Sequence, residues 1–379
     1  MLVCNVVGAR PNFMKIGPVV QEIARRGLPQ ILVHTGQHYD AEMSQVFFDE
    51  LGLPAPDVYL GVGAGTHARQ TSAVLVAFED VCLRSRPDLV IVGGDVNSTL
   101  GAALAAAKLG IPLAHVEAGL RSFDRSMPEE INRVLTDHLC DLLFTTEASA
   151  NDNLTREGIA PARVYFVGNC MVDSLMRHVQ MARRRFPWNA FGVAPRGYAL
   201  VTLHRPGNVD DPGVFEGLVQ AINRVAALLP VVFPMHPRTD ERFRQSGVRL
   251  APAVHIDGPL PYLTFIGLLA EARCVLTDSG GVQEETTALG VPCLTLRRNT
   301  ERPVTLQLGT NQLVGTDPER IYRSVERILA GGEQTGGHPP LWDGRAACRV
   351  ADVVERWASG GKGEAVDRAL LPAAGGRGS

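Results

Sequence analysis

The sequence contains no run of about 18 apolar residues, the length a helix needs to cross a bilayer, so no spanning segment is expected. It has no CxxC pair either. Its seven Cys, at positions 4, 82, 140, 170, 274, 293 and 348, are odd in number and lie far apart. That spacing argues against a disulfide framework or a zinc knuckle and suits small apolar core residues in a reducing compartment. No secretory leader is legible: Leu2–Val7 is too short for its apolar region, and Arg10 and Lys15 follow where that region should continue. A cytoplasmic protein is expected.

Neither sign of charge is in surplus. With 37 Lys and Arg against 40 Asp and Glu the net charge is −3, so no overall field draws the chain onto nucleic acid or an anionic membrane. Neither is expected as a partner, and an anionic ligand must be met by a local cluster. The patterns GxSxG and GxGxxG and the P-loop lysine motif are absent, which takes support from hydrolase-triad, dehydrogenase and kinase readings. The one HxxxH, His34 to His38, lacks the helix and the Glu of a zinc peptidase. His204 and His236 have no His partner at HxH or HxxxH spacing, so a metal pair is the weaker reading and no metal is expected.

What is present is a globular mix, 45% hydrophobic and 20% charged, in 379 residues. At roughly 150 residues per domain that suggests two domains. Short runs rich in Val, Ile and Leu alternate with helix-period segments, as buried parallel strands do. Leu2–Val7, Ile31–His34, Leu89–Val92, Leu113–Val116, Leu142–Thr145 and Val164–Val167 read as strands of a first half. Tyr198–Thr202, Val231–Pro234, Val254–Ile256, Cys274–Thr277 and Cys293–Leu296 read as strands of a second. Met171–Arg185 reads as a helix between them and Phe186–Gly197 as a linker. The tail at 359–379, rich in Gly and Ala without periodicity, is expected to be disordered.

In open α/β sheets ligands sit beyond the carboxyl ends of the strands. Six polar clusters fall there: Gly8–Lys15, Gly93–Thr99, Glu117–Asp124, His204–Asn208, His236–Arg238 and Asp278–Glu285. In DSGGVQEE a strand runs through two glycines into a helix whose unsatisfied N–H groups make a phosphate site at Ser279, Gly280 and Gly281. Glu285, about 9 Å further along at ~1.5 Å per residue, suits a sugar diol. The rival reading is that Asp278 and Ser279 merely cap that helix. Arg10 and Lys15 are cations at a helix start, where they oppose the dipole unless an anion joins them. Arg302 in TERP is a further cation. Asp95 and Glu129 have bland readings as helix-start acids, whereas Glu117, ending a buried strand, is costly unless paired or functional. Acids close together raise each other's pKa. The helix from Pro128 to His138 sets Ile131, Val134 and Leu135 opposite Glu129, Asn132, Arg133 and Thr136, a polar face that lines a cleft or meets water.

The segments GARPNFMK, HTGQHYD, GGDVNSTL, HVEAGLRS, MPEEINR, TLHRPGN, PMHPRT, DSGGVQEE and NTERP run in order from residue 8 to residue 303. Together they resemble the non-hydrolysing UDP-N-acetylglucosamine 2-epimerases. The resemblance implies an α/β chain of two Rossmann-like domains, the GT-B fold, with parallel sheets flanked by helices and a deep cleft between them. Residues 1–168 would form the first domain and 169–344 a UDP-binding second, with a helix at about 345–358 packing back on the first. It implies inversion of carbon 2 of a UDP-sugar substrate through elimination and re-addition of UDP, without a cofactor, in a homodimer. Asp95, Glu117, Glu129 and His204 would be catalytic. Arg10, Lys15, His236, Phe265, Ser279, Gly280, Gly281, Glu285 and Arg302 would bind the substrate. Some members carry a second, regulatory site, and Gln37, His38, Arg69 and Gln70 match part of its pattern. Tyr39 and Asp40 depart from it, and an acid near a diphosphate argues against substrate activation. Relatives acting on modified sugars such as UDP-2,3-diacetamido-2,3-dideoxyglucuronate share HTGQHYD and MPEEINR. A hydrolysing epimerase, a GT-B glycosyltransferase and a UDP-sugar sensor would each use part of the same pattern; the three acids favour epimerisation over the last two.

Overall fold

The computed structural model describes residues 1–37, 48, 50–185, 191–332 and 336–360. Two sheets, parallel at every pairing, organise them. The first contains β1 (Val3–Val7), β2 (Gln30–His34), β3 (Val58–Tyr59), β4 (Leu89–Gly93), β5 (Leu113–Ala118), β6 (Leu142–Thr145) and β7 (Val164–Phe166), in the order β3-β2-β1-β4-β5-β6-β7. The second contains β8 (Ala199–Thr202), β9 (Val231–Pro234), β10 (Val254–Asp257), β11 (Cys274–Thr277), β12 (Cys293–Thr295) and β13 (Asn311–Leu313), in the order β10-β9-β8-β11-β12-β13. This is the expected pair of Rossmann-like sheets. β1, β4 and β5 are buried along their whole length, which is why they read as unbroken apolar runs. β3 and β13 were not anticipated: at two and three residues they are too short to show a pattern.

In the first half α1 (Arg10–Arg25), α2 (His67–Ser85), α3 (Asn97–Lys108), α4 (Pro128–Leu139) and α5 (Ala148–Arg156) connect the strands. After α6 (Cys170–Arg185) come α7 (Pro206–Val209), α8 (Pro212–Ala226), α9 (Pro237–Ser246), α10 (Tyr262–Ala270), α11 (Gly280–Leu289), α12 (Pro303–Gln307), α13 (Pro318–Leu329) and α14 (Ala346–Ala358). Pro stands in the first turn of α1, α4, α8, α9 and α13, where its missing N–H would have had no partner. Strand order reverses between β1 and β4 and again between β8 and β11, and each reversal leaves a crevice at the carboxyl ends. Residues 361–379 and 186–190, in the expected tail and linker, lie outside the described residues. Among the described residues no helix is long and apolar enough to cross a membrane.

One apolar core contains side chains from α1 (Phe13, Ile16, Val20), α6 (Val172, Leu175, Val179), α10 (Tyr262, Ile266) and α14 (Val350, Val354). α6 therefore packs against both halves, and α14 returns to α1, where Arg26 reaches Asp352 at 2.7 Å and Glu355 at 2.6 Å. α4 is turned against its apolar stripe. Glu130, Asn132, Arg133, Thr136 and Asp137 are buried, while Ile131 and Leu135 are 42% and 47% exposed. The polar face does not meet water: Asn132, Arg133 and Thr136 are packed inside.

Buried Asp173 on α6 anchors α14: its carboxyl oxygens accept from Ala346 N at 3.1 Å and Ala347 N at 2.7 Å. Asp173→Ala leaves both N–H groups without an acceptor and should destabilise the fold by about 2 kcal/mol, with Asp173→Asn costing less. Urea midpoints at constant slope measure this, and equal stability of the Ala variant and wild type would refute it.

Candidate active site

A cavity of about 430 Å³ lies at the strand reversals of both sheets. Pro11 and Lys15 enter it from α1, Asp95 from the turn after β4, His204 and Arg205 from the turn after β8, and Ser279 to Gly281 from the start of α11. Asn12 braces the first reversal, accepting from Ala9 N at 3.0 Å and donating to Gly93 O at 2.6 Å. His236, Phe265, Glu285, Glu301 and Arg302 also line the cavity. Glu117 lies just behind it, and Glu129 at its margin accepts from Arg205 at 3.2 Å.

Glu117 is the most constrained of the predicted acids. It is buried at the end of β5, where the pairing with β6 shifts register, and its φ of +75° is left-handed. A non-glycine residue there stores about 1–3 kcal/mol, which surrounding contacts must hold. Lys15 lies 2.7 Å from one carboxylate oxygen and Arg302 2.8 Å from the other. Arg302 also pairs with Glu284 at 2.9 Å and Glu301 at 2.5 Å. Burial opposes its charge, but Glu284, Glu301 and Glu117 outweigh that and hold the guanidinium ionised. Asp95 pairs with Arg133. Burial alone would raise its pKa, yet Arg133, Lys15 and Arg302 bring it down to about 2. The expectation that neighbouring acids lift one another therefore fails at Asp95, because cations stand between them. It holds at Glu284, which burial raises to about 7 against the pull of Arg302 and with a push from Glu117.

Neither Asp278 nor Ser279 caps α11: the Ser279 side chain makes no cap bond, and the Ser279 N–H donates to Thr277 Oγ1 at 3.0 Å. Asp278 is fully buried and accepts from the N–H groups of His204 and Arg205, from Asn208, and from His204 Nδ1 at 2.9 Å. Burial works against its charge, but His204 and these donors lower its pKa. The contact places a proton on Nδ1 and aims the other edge of the imidazole away from Asp278. His236 stands beside it, the ring centroids 5.8 Å apart. At Gly280 a Cβ would collide with the Arg302 guanidinium and the Glu301 carboxylate, so the absence of a side chain lets the guanidinium cross the helix start. Glu285 is buried with Tyr262 Oη 3.4 Å away.

The Arg10 side chain and His38 lie outside the described residues. Gln37 and Gln70 come together but are occupied: Gln37 Oε1 accepts from Ser98 N and Oγ, and Gln70 joins Asn97 and the carbonyls of Gln37 and Gly63. Arg69 is exposed. Arg133, Arg205, Glu284, Glu301 and Tyr262 escaped prediction as site residues. MPEEINR, TLHRPGN, DSGGVQEE and TERP contained four of them, but only the fold shows which partner each side chain meets. Among the described residues no group of three or more His, Cys, Asp or Glu is arranged to hold a metal ion.

A profile of the family described as UDP-N-acetylglucosamine 2-epimerase matches residues 21–355. The UDP-N-acetylglucosamine 2-epimerase of Methanocaldococcus jannaschii is 40% identical over 92% of this chain and 97% of its own. The UDP-2,3-diacetamido-2,3-dideoxy-D-glucuronate 2-epimerase of Pseudomonas aeruginosa is 42% identical over 94% of this chain and all of its own. A crystal structure of the M. jannaschii enzyme in complex with UDP-GlcNAc and UDP superposes with a TM-score of 0.88, covering 94% of this chain and 99% of that one. That of Neisseria meningitidis bound to UDP-GlcNAc gives 0.87 at 29% identity, covering 94% of this chain and all of that one. With a profile match across most of its length and relatives of this identity and coverage, the chain belongs to the UDP-N-acetylglucosamine 2-epimerase family.

Proposed function

We propose that the protein converts UDP-N-acetylglucosamine reversibly to UDP-N-acetylmannosamine by anti elimination and re-addition of UDP. The observation that carries this is the convergence in one cavity of Lys15, His204, Arg302 and the α11 start with the ionised carboxylate of Asp95. A carboxylate takes the proton from carbon 2 as the bond between carbon 1 and oxygen breaks, and its electron pair leaves on UDP. The product of that step is 2-acetamidoglucal. A proton then returns to the other face of carbon 2 while the diphosphate oxygen adds to carbon 1. Lys15, Arg302, Arg10, His204, His236 and the Ser279–Gly281 turn hold the leaving diphosphate, where fixed cations and N–H groups act most strongly. Phe265 contributes apolar wall and Glu285 meets the ribose. Asp95, Glu117 and Glu129 handle the protons. Residues 1–168 form the acid-bearing lobe and 169–344 the UDP lobe.

The diphosphate competes with Glu117 for Lys15 and Arg302. Capture of these cations frees Glu117 toward the sugar, so substrate binding itself arms the site. A second reading, a modified UDP-sugar as substrate, is favoured by the 42% identity of the Pseudomonas relative. The cavity residues named above meet the nucleotide and carbon 2, which both sugars share.

Incubation with UDP-N-acetylglucosamine in deuterium oxide should exchange the proton at carbon 2 and yield the manno epimer. Absence of exchange directs the test to the diacetamido sugar, and release of free N-acetylmannosamine would mark a hydrolysing enzyme. Asp95→Asn and Glu117→Gln should abolish turnover. Asp95→Asn should bind UDP within about tenfold of wild type, or 1.4 kcal/mol, and Glu117→Gln at least as tightly as wild type because a competing carboxylate is gone. Loss of UDP affinity in both would sink the assignment.

Burial and neighbouring Glu284 push Glu285 up to about 8. An unfolded Glu titrates near about 4.3, so between these values the folded state keeps a proton the unfolded chain has lost, and stability falls as pH rises. Glu285→Gln removes that slope. Its thermal midpoint should exceed that of wild type by several degrees near about pH 8.5, with the difference closing toward about pH 4.5. A pH-independent offset would contradict this.

Val76 and Leu83 on α2 are exposed, as are Ile131 and Leu135 on α4, the two helices that flank α3. We assign this apolar face to a homodimer contact. Light scattering should report a dimer that Leu83→Glu combined with Leu135→Glu converts to monomer, and a monomeric wild type would exclude it.

A further inference from the structure

His115, two residues before Glu117 on β5, is wholly buried. Its Nδ1 lies 2.7 Å from an Asp137 carboxylate oxygen and its Nε2 2.8 Å from the Gly94 carbonyl oxygen. Burial works against charge on Asp137, but its bond to His115 and the charges of His115 and Arg121 outweigh it and lower its pKa. Both neighbours of the ring are therefore pure acceptors. A ring turned over would set carbon against both. Asp137 also accepts from Arg121 at 2.7 Å and from Gly119 N at 3.0 Å, and Arg121 forks onto Glu157 with two 2.7 Å bonds. The Cys140 thiol near Asp137 is kept protonated by burial and adds no charge.

This pair meets every element that carries a proposed acid. Gly94, with a φ of +65°, precedes Asp95, and its carbonyl belongs to the peptide leading into that residue. Its N–H donates to Val116 O at 3.0 Å, next to Glu117. Gly119 follows Glu117 by two residues, and Asp137 shares α4 with Glu129 and Arg133. Rotation of the Gly94–Asp95 peptide would swing Asp95 away from its partner, and only the His115 ring bonds that carbonyl among the contacts described.

We propose that His115, held between Asp137 and the Gly94 carbonyl, is a positioning residue that fixes the Gly94–Asp95 peptide and so sets Asp95 against Glu117. The roles it gives Asp95 and Glu117 rest on the proposed epimerisation; the bond from the ring to Gly94 does not. Two amide substitutions separate its bonds. Gln can still donate to Gly94 from the Nε2 position, whereas Asn can donate only to Asp137 from the Nδ1 position. With circular dichroism confirming folding, His115→Asn should lower kcat about 100-fold with KM changed less than about threefold, and His115→Gln should stay within about tenfold of wild type. Equal losses in the two variants, or a loss carried by KM, overturns the proposal. On the full wild-type chain labelled with ¹⁵N-histidine, NMR should show a proton on Nε2, the ring nitrogen that faces the Gly94 carbonyl, the resonance being identified by its absence in His115→Gln. An Nε2 without a proton overturns it equally. Failure of the wild-type chain to exchange carbon 2 of either UDP-sugar would instead sink the proposed reaction, and the ring would still be judged by its spectrum.

Discussion

The guanidinium of Arg302, from the second half of the chain, meets Glu117 of the first in a setting where both are almost wholly buried. Taking two such charges out of water costs several kcal/mol per ion unless further partners surround them. Here the partners are Lys15 on one side and Glu284 and Glu301 on the other. Gly280 is forced by the crowding that results, Arg205 and Arg297 are drawn in around Glu301, and the two sheets are held with their strand reversals facing each other. Acids and cations are consequently interleaved.

Interleaving has a chemical use. In the reaction proposed above, the cations that hold Glu117 are the ones the diphosphate would take, so binding and activation would share one set of charges. The left-handed backbone of Glu117 accords with this role, since strained residues persist where surrounding contacts over-determine them.

Much of the architecture was legible because its strands are buried on both faces and appear as apolar runs bounded by turns. The position of Lys15, Asp95, His204, Ser279 and Arg302 at one cavity was legible for a related reason: each follows a strand, and parallel sheets gather such positions at one edge. What was hidden is pairing. Glu117 and Arg302 are 185 positions apart, and no local pattern relates them. Asp278 looked like a cap because it precedes a helix, yet its oxygens turn back to His204. α4 misleads a simple periodic reading in the opposite sense, since the stripe that would ordinarily mark the core is the one left outside.

The shared core under α1 also bears on how the chain reaches this structure. The first sheet is complete at β7, but side chains from α6, α10 and α14 finish the apolar layer on its α1 face. A nascent first half therefore carries an open hydrophobic surface until the whole second half has been synthesised and α14 has returned. Contacts of such sequence separation form slowly. α14 is thus a closing element for the first half, and an interrupted chain would expose the patch that it covers.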